Sequence, residues 1–276
     1  MSATNIDGKK IAQDIESELK IKVSKMSKKP RLSVVQVGDD PASTSYIKAK
    51  SNAAERVGIE LTHHHLPIET TESELSSLVT NLNSSENGII VQLPLPEGLD
   101  VVLNEINPDK DVDGFHPFNL GKLVQGKPSM RPCTPAGVVE LLYRSGNNPE
   151  GKNIVIVGRS TIVGKPLSLL LSQKGVDGTV TLCHSRTSNL KGLCKEADIL
   201  IVAVGRPDTI TGDMVKSGAV VIDVGVNRTD SGLVGDVSSD VQNVAGQLTP
   251  VPGGVGPMTV AMLMSNTVDA LSLIHI

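Results

Sequence analysis

Short β-rich runs bounded by turn residues alternate with helical patterns along almost the whole chain of 276 residues. In the helical stretches, apolar residues recur at spacings of three and four. Strands that alternate with helices predict parallel sheets covered by helices on both faces, so the fold class is predicted to be α/β. The predicted strands are residues 31–37, 58–66, 88–93, 153–158, 179–185, 198–205 and 219–225. The predicted helices are residues 7–26, 42–58, 72–82, 135–146, 165–175 and 257–271.

The segment at residues 108–135 is rich in proline and glycine and indicates a crossing between two lobes. We expect an N-terminal domain over residues 1–133, joined by the last helix at about residues 256–270, and a second α/β domain over residues 134–255. The last helix stops without a cap and runs into LSLIHI (271–276), which a common sequencing-adapter sequence would encode in this frame. We therefore expect residues 271–276 to be non-native.

Composition and charge exclude several classes of protein. The net charge of -4 is spread along the chain without a basic block, so we expect no nucleic acid partner. The N-terminus lacks the apolar core of a signal peptide and no apolar run has the length of a membrane span, so we expect a cytoplasmic protein with no membrane partner. The three cysteines, Cys133, Cys183 and Cys194, form no CxxC pair, and an odd count fits neither a disulfide framework nor a structural zinc site.

Three consecutive histidines, His63, His64 and His65, lie in a predicted strand. On a strand, His63 and His65 share one face and His64 lies on the other, so at most two of them can meet one metal ion. No cysteine or carboxylate pattern completes a site. We predict no metal ion and interpret the stretch as an exposed edge strand.

The stretch GRSTIVGKP, from Gly158 to Pro166, follows a predicted strand and leads into a helix. A glycine-rich turn before a helix binds phosphate through free N–H groups and the helix dipole. It is not a Walker A loop, because five residues separate Gly158 from Gly164 and Pro166 replaces the hydroxyl that binds magnesium. It also lacks the GxGxxG fingerprint of dinucleotide sites. On its own, the stretch fits a phosphate site and a plain strand-to-helix turn equally well.

The next predicted strand ends in His184, Ser185 and Arg186. An NAD-binding unit normally carries an acidic residue there, which accepts from the ribose 2′-hydroxyl, and this chain has none. Taken alone, Arg186 also fits a solvated surface charge. Together with Arg159, however, Ser185 or Arg186 suits a 2′-phosphate, because the planar guanidinium matches phosphate geometry. We therefore predict NADP as the cofactor, bound by Gly158, Arg159, Ser160, Gly164 and Ser185.

The N-terminal lobe carries three polar stretches that suit a flat ligand. Tyr46 and Lys50 lie four residues apart on one face of a predicted helix, although Lys50 alone also fits a solvated surface. Gln92 follows an apolar strand in VQLPLP, and open α/β folds bind ligands beyond such strand ends. Asp111 and Asp113 lie in DKDVDGFHPFN with two phenylalanines. A carboxylate among aromatic rings is a receptor for an amino-pyrimidine edge.

Six ordered motifs, from about Gly8 to Ala270, resemble those of the bifunctional methylenetetrahydrofolate dehydrogenase/methenyltetrahydrofolate cyclohydrolase family. They are YIKAK (46–50), VQLPLP (91–96), DKDVDG (109–114), PCTPAG (132–137), GRSxxVGxP (158–166) and PVPGGVGPMT (250–259). The resemblance implies two α/β lobes with a cleft between them, the second a Rossmann-like NADP-binding domain, and a homodimer. It also implies oxidation of 5,10-methylenetetrahydrofolate by NADP, followed by hydrolysis of the methenyl product to 10-formyltetrahydrofolate, in one-carbon metabolism.

The resemblance also assigns roles to residues of the N-terminal lobe. It makes Lys50 the catalytic lysine of the hydrolysis, with Gln92 hydrogen-bonded to it. Tyr46 is implied to stack against the folate, and Asp113 is implied to hold the amino edge of the pterin.

In the second lobe, the resemblance implies that Pro252, Gly253 and Gly254 close over the folate and that the nicotinamide meets the backbone near Val226. Two other classes stay open: a shikimate-type NADP dehydrogenase, which would need a Lys-Asp pair for a hydroxyl substrate, and a nucleotide sensor without turnover. The spacing of Tyr46 and Lys50 with VQLPLP argues against the first, and the retained lysine argues against the second.

Overall fold

The computed structural model describes residues 2–230 and 232–274, which contain eight α-helices and eleven β-strands. The helices are α1 (Gly8–Ser24), α2 (Pro41–Val57), α3 (Glu72–Ser85), α4 (Pro117–Val124), α5 (Cys133–Arg144), α6 (Gly164–Ser172), α7 (Leu190–Glu196) and α8 (Val255–Ile274). The strands are β1 (Thr4–Asn5), β2 (Arg31–Val37), β3 (Glu60–Leu66), β4 (Gly88–Val91), β5 (Asn153–Val157), β6 (Thr179–Cys183), β7 (Ile199–Val202), β8 (Val220–Asp223), β9 (Asn227–Thr229), β10 (Gly232–Val234) and β11 (Gln247–Leu248).

The chain divides into two compact units, of which the six-stranded unit consists of Met1–Ala12 and Thr134–Thr259. Its sheet has the strand order β1-β11-β8-β7-β5-β6, and every neighbouring pair is parallel. The chain leaves β5 towards β6 on one side, and β7 then lies on the other side of β5. Open α/β sheets bind ligands at such a reversal of strand order, beyond the carboxyl ends of the strands.

The three-stranded unit consists of Gln13–Cys133 and Val260–Ile276. Its parallel sheet has the order β3-β2-β4, so β2 is central and β3 forms an edge. A cluster of buried aliphatic side chains, which includes Val35, Leu75, Val79 and Ile89, packs α3 against β2 and β4. Because the strands are parallel, the loops that follow β2 and β4 leave the sheet at the same edge.

The predicted α/β class is confirmed, and all seven predicted strands and all six predicted helices occur in the structure. Several strands are shorter than predicted; β7 ends at Val202, because the chain turns at Gly205 with φ of +67°. The segment at residues 108–135, which the sequence indicates as a crossing between two lobes, contains a helix, α4, that was not predicted. That helix begins at Pro117 and spans 8 residues, which is too short for a helical period to stand out from the sequence.

The histidine stretch lies in the edge strand β3, as predicted. His64 Nε2 lies 3.1 Å from Ser33 Oγ on one face, and His63 and His65 stack on the other with ring centroids 5.7 Å apart. Burial and the two neighbouring imidazoles lower the pKa of His63. His65 Nε2 lies 3.1 Å from Asp39 Oδ1. Within residues 2–230 and 232–274, no group of three potential metal ligands occurs.

Helix α8 is described as far as Ile274, and its residue Leu271 is 5% exposed. Residues 275 and 276 lie outside the described residues, so the stretch predicted to be non-native is described only in part. Among the helices of the described residues, none is long and apolar enough to cross a membrane.

Helix α2 is held at both ends and along its length. Asp40 accepts from Ser43 N at 2.7 Å at its start, and Gly58 ends it with φ of +93°. Arg56 of α2 donates from Nε and Nη2 to both carboxylate oxygens of Glu16 in α1, at 2.6 and 2.8 Å. The side chain of Glu16 is 8% exposed and that of Arg56 is 55% exposed, so a bidentate cation holds a nearly buried carboxylate.

Arg56→Leu is expected to lower the free energy of unfolding by about 2 kcal/mol, because it leaves the Glu16 carboxylate nearly buried without a cation. Urea unfolding followed by circular dichroism measures the loss. The double variant Glu16→Leu/Arg56→Leu removes both charges and is expected to regain most of the stability. A single variant as stable as the wild type, or a double variant less stable than the single one, contradicts this account of the pair.

Candidate functional site

Lys50 of α2 and Gln92, which follows β4, meet in the three-stranded unit. Lys50 Nζ donates to Gln92 Oε1 at 2.8 Å. Lys50 is half-buried, whereas Lys48 of the same helix is exposed. The interpretation as a solvated surface lysine therefore fits Lys48 and not Lys50. Tyr46 lies one turn before Lys50 and is 45% exposed, so it is accessible to a ligand.

The side-chain amide of Gln92 is fixed by a second hydrogen bond. Its Nε2 donates to Leu93 O at 2.7 Å, and Ser43 Oγ donates to the same carbonyl at 3.4 Å. The backbone N of Gln92 donates to Val35 O of β2 at 2.8 Å. Because Nε2 is engaged with a carbonyl, Oε1 is the atom that faces the lysine.

The two aspartates of DKDVDG differ in their surroundings. Asp111 is 4% exposed, and its carboxylate accepts from Gly114 N, His116 N and Asn119 Nδ2 at 3.2, 2.8 and 2.9 Å. It holds the loop and has little capacity left for a ligand. Within the described residues, the carboxylate of Asp113 interacts through charge and accepts no hydrogen bond, so both of its oxygens remain available.

The side chain of Asp113 is half-buried. Its pKa is raised, because the surrounding protein excludes water from the carboxyl group. The positive charge of Lys50 lowers this pKa and the negative charge of Asp111 raises it. Asp113 borders a cavity of about 140 Å³ whose lining includes Leu93 and Phe115. This volume is close to that of an engineered cavity, of roughly 150 Å³, that takes up one benzene.

The prediction that both phenylalanines surround this carboxylate holds for Phe115 alone. Phe118 is 53% exposed and does not line the cavity. Lys122 Nζ lies over the Phe118 ring, 4.6 Å from its centroid, because residues 118 and 122 are one turn apart in α4. The sequence could not separate the two rings, since their positions depend on where α4 begins.

The three cysteines are buried free thiols. Cys133 Sγ donates to Val112 O at 3.2 Å, and burial raises the pKa of Cys133 well above its ordinary value. Burial also raises the pKa of Cys183, and it raises the pKa of Cys194 to about 12. The thiols are therefore neutral near pH 7, which agrees with the interpretation of Cys133 as a small apolar filler.

In the six-stranded unit, the loop from Gly158 to Pro166 joins β5 to α6. Gly158 has φ of +127°, and a Cβ there would overlap Ala203 O, just beyond β7. A Cβ on Gly164 would overlap Gly158 O, so both glycines are required by close backbone approach. Ser160 Oγ accepts from two backbone N–H groups around the start of α6, at 3.1 and 3.4 Å. Such a turn before a helix fits the phosphates of a dinucleotide.

The loop after β6 leaves the sheet beside this turn. A backbone N–H just beyond β5 donates to the last carbonyl of β6 at 3.0 Å. Arg159, Ser185 and Arg186 are all exposed, and His184 Nδ1 accepts from Arg186 N at 3.1 Å. The two neighbouring strand ends therefore carry the residues that the 2′-phosphate interpretation requires.

Asp236, which the sequence analysis missed, holds the loop after β7. It is fully buried. Its carboxylate accepts from the backbone N–H groups of Val204, Gly205 and Arg206 at 2.7, 2.9 and 2.8 Å. It also accepts from Asn227 Nδ2 at 2.9 Å, next to Val226, which is 44% exposed. The sequence signal that could have revealed Asp236 is the stretch LVGD (233–236), in which an aspartate follows a glycine after two apolar residues.

Asp223, the last residue of β8, was also missed and holds the next loop. Its carboxylate accepts from the backbone N–H groups of Gly225, Asp236 and Val237 at 3.0, 2.9 and 3.0 Å. The pKa of Asp223 is raised from 3.8 to about 6. Burial is the largest cause of the rise, the three N–H groups oppose it, and the charge of Asp236 adds to it.

Pro252, Gly253 and Gly254 lie in the six-stranded unit, in the turn before α8. Gly253 has φ of +108°, and its carbonyl accepts from Lys9 N at 2.9 Å. A Cβ on Gly254 would lie 2.6 Å from Pro250 O. These three residues and those predicted for the cofactor belong to one unit, and Tyr46, Lys50, Gln92 and Asp113 belong to the other.

Comparison with known proteins decides the family. The description "Tetrahydrofolate dehydrogenase/cyclohydrolase, catalytic domain" matches residues 6–113, and "Tetrahydrofolate dehydrogenase/cyclohydrolase, NAD(P)-binding domain" matches residues 132–274. The chain belongs to the tetrahydrofolate dehydrogenase/cyclohydrolase family. The bifunctional protein FolD of Acetivibrio thermocellus is 51% identical to it, over 99% of this chain and 98% of that protein.

Solved structures of family members are similar over the full length. The bifunctional FolD of Campylobacter jejuni has a TM-score of 0.94 and 44% identity, covering 99% of this chain and 100% of its own. The Trypanosoma brucei FolD, complexed with NADP cofactor and inhibitor, has a TM-score of 0.93 and 37% identity, covering 100% of this chain and 99% of its own. The family predicted from the six motifs is confirmed, and with it the dehydrogenase and cyclohydrolase activities and the nicotinamide dinucleotide site.

The shikimate-type alternative has weaker support. The shikimate dehydrogenase of Aquifex aeolicus is 12% identical over 90% of this chain and 93% of its own, with a TM-score of 0.54. A likeness at this level shows the fold alone.

Asp223→Asn is expected to change how stability depends on pH. In the folded chain the pKa of Asp223 is raised from 3.8 to about 6, so its stabilising contribution is complete below pH 3.8 and is lost as the pH rises through 6. Between pH 4 and 7.5 the wild type is expected to lose roughly 2–3 kcal/mol relative to the variant. Urea unfolding at a series of pH values measures this difference.

The matched control is Asp230→Asn, because Asp230 is exposed and lies close in the chain. The free energy of unfolding of Asp230→Asn is expected to depend on pH in the same way as that of the wild type. A difference between wild type and Asp223→Asn that stays constant with pH contradicts the raised pKa.

Proposed function

We propose that the chain oxidises 5,10-methylenetetrahydrofolate with NADP and hydrolyses the 5,10-methenyltetrahydrofolate product to 10-formyltetrahydrofolate, in one-carbon metabolism, with Lys50, Gln92, Asp113 and Tyr46 as its folate site. The hydrogen bond from Lys50 to Gln92 carries the proposal. A half-buried amine, an amide carbonyl fixed against it and a carboxylate with free oxygens suit a cyclohydrolase.

The binding step uses Asp113 and Tyr46. The amino-pyrimidine edge of the pterin presents two N–H donors, and a carboxylate with two free oxygens accepts both. Tyr46 offers its exposed ring for stacking. Pro252, Gly253 and Gly254 contribute a turn whose glycines allow close backbone approach to the substrate.

The hydrolytic step needs a group that moves protons. Water adds to the cationic methenyl carbon and loses a proton, which Lys50 Nζ takes as a general base. The adduct then loses its hydroxyl proton, the bond from this carbon to N5 breaks, and N5 gains a proton. A formyl group remains on N10. Gln92 acts by holding Lys50 Nζ at one position through its Oε1.

The oxidative step depends on orientation. NADP, when bound, supplies the acceptor for the hydride. The backbone around Gly158 and Gly164, with Ser160 at the start of α6, would hold the phosphates, and Arg159 with Ser185 would hold the 2′-phosphate. Val226 would meet the nicotinamide. The chain's contribution is to align two reactants, which lowers the entropic barrier to transfer.

The proposal also covers the domain bounds and the oligomeric state of the chain. The folate part is residues 1–133 with about 256–270, and the NADP part is residues 134–255. We expect the chain to form a homodimer, as the resemblance of the motifs implies, and to act in the cytoplasm. Sedimentation analysis that gave a single monomeric species at micromolar concentration would contradict the dimer.

Lys50→Met is expected to lower the rate of methenyltetrahydrofolate hydrolysis at least about 100-fold, because it removes the proton carrier. Folate affinity is expected to stay within about threefold, since Asp113 and Tyr46 remain. The decay of methenyl absorbance measures hydrolysis. Lys48→Met is the control and is expected to hydrolyse at the wild-type rate; hydrolysis at that rate by Lys50→Met contradicts the assigned role.

Turnover of methylenetetrahydrofolate is expected to be faster with NADP than with NAD. Arg159→Ala is expected to raise the KM for NADP roughly 10- to 100-fold, the effect of losing charge-assisted hydrogen bonds, and to leave the KM for NAD within about twofold. The methenyl product's absorbance measures both. A preference for NAD, or an equal rise in the KM for both cofactors in Arg159→Ala, contradicts the 2′-phosphate assignment.

Folded protein that binds nucleotide but turns over no methylenetetrahydrofolate with either cofactor would favour the alternative of a nucleotide sensor.

A further inference from the structure

Helix α8 contributes a buried amide to the loop that carries Asp113. Asn266 is 8% exposed, and its Nδ2 donates to Val112 O at 2.8 Å and to Arg131 O at 2.9 Å. Both hydrogens of the amide nitrogen are therefore used. Asn266 lies beyond the last of the six motifs and has no part in the site as described above.

The two carbonyls flank Asp113 and Gly114. Val112 O belongs to the peptide unit that contains the backbone N of Asp113, so fixing this carbonyl fixes the plane of that peptide. Arg131 O belongs to the peptide against which Gly114 packs, since a Cβ on Gly114 would lie 2.6 Å from Arg131 C. Gly114 itself has φ of +76°, a conformation that favours glycine.

Other contacts hold this loop less directly. Cys133 Sγ also donates to Val112 O, at 3.2 Å, but a thiol is a weak donor. Asp111 holds the chain after Asp113 through the N–H groups of Gly114 and His116. The peptide immediately before Asp113 therefore depends on the asparagine for its strongest side-chain hydrogen bond.

We infer that Asn266 is a positioning residue for the folate site, whose amide orients the Asp113 carboxylate towards the amino edge of the pterin. The inference rests on the proposed function, in which Asp113 binds that edge. Asparagine suits the task because it supplies two N–H donors from one planar nitrogen; serine at this position supplies one, and alanine supplies none.

The test compares Asn266→Ala and Asn266→Ser with Thr267→Val. Thr267 is the matched control, since it is fully buried in the same helix and its Oγ donates at 2.9 Å to Leu263 O of that helix. Asn266→Ala is expected to raise the KM for methylenetetrahydrofolate roughly tenfold or more, because small misplacements of binding groups are costly, with the KM for NADP within about twofold. Asn266→Ser is expected to raise it less, and Thr267→Val to change neither KM.

A double-variant cycle then decides whether Asn266 acts through Asp113. Asp113→Asn alone is expected to raise the folate KM, and Asn266→Ala in that background is expected to add no further increase. If Asn266→Ala does not give the wild-type circular dichroism spectrum, the cycle is run with Asn266→Ser.

The outcomes separate the inference from the function on which it rests. If Asp113→Asn leaves the folate KM unchanged, the role of Asp113 fails and the inference falls with it. If Asp113→Asn raises the folate KM, three results overturn the inference alone: no increase in Asn266→Ala, an equal increase in both backgrounds, or a parallel increase in the KM for NADP.

Discussion

Buried aspartates bind the backbone N–H groups of loops that lie outside the parallel sheets. A parallel sheet satisfies N–H groups within its strands, but the loops beyond it need other acceptors. Asp111 accepts from two such groups in the three-stranded unit, and Asp236 accepts from three in the six-stranded unit. One carboxylate satisfies several donors at once, which fixes a loop without regular secondary structure. Asp113 and Val226 adjoin residues that are fixed in this way, Gly114 and Asn227.

The proposed folate site uses three kinds of polar group. In this proposal Asp113 offers two free acceptor oxygens, Lys50 carries protons, and the hydrogen bond to Gln92 fixes the position of the Lys50 amine. The charge of Lys50 lowers the pKa of the Asp113 carboxyl, which burial raises. Binding and proton transfer can then be served by neighbouring side chains of one unit.

Most long elements were predictable because their apolar periods are clear, and the family was predictable because its six motifs are specific. Other features depend on packing that no local pattern records. The sequence does not distinguish Lys48 from Lys50, because only the packing of α2 shows which of them faces Gln92 at the end of β4. Asp111 and Asp113 look alike until one is surrounded by N–H groups. Asn266 resembles any polar residue of a helix, because its two carbonyl partners lie more than a hundred residues earlier in the chain.

The exposed position of Tyr46 gives the enzyme a built-in optical probe. The chain has no tryptophan and two tyrosines, so Tyr46 is half of its phenolic chromophores. Tyrosine emits in the near ultraviolet, well separated from the visible-edge emission of a reduced nicotinamide. A pterin ring stacked on Tyr46 would quench part of the protein's own weak signal, while the reduced dinucleotide would be seen in a separate band. Occupancy of the two sites could thus be followed by fluorescence without attaching a dye.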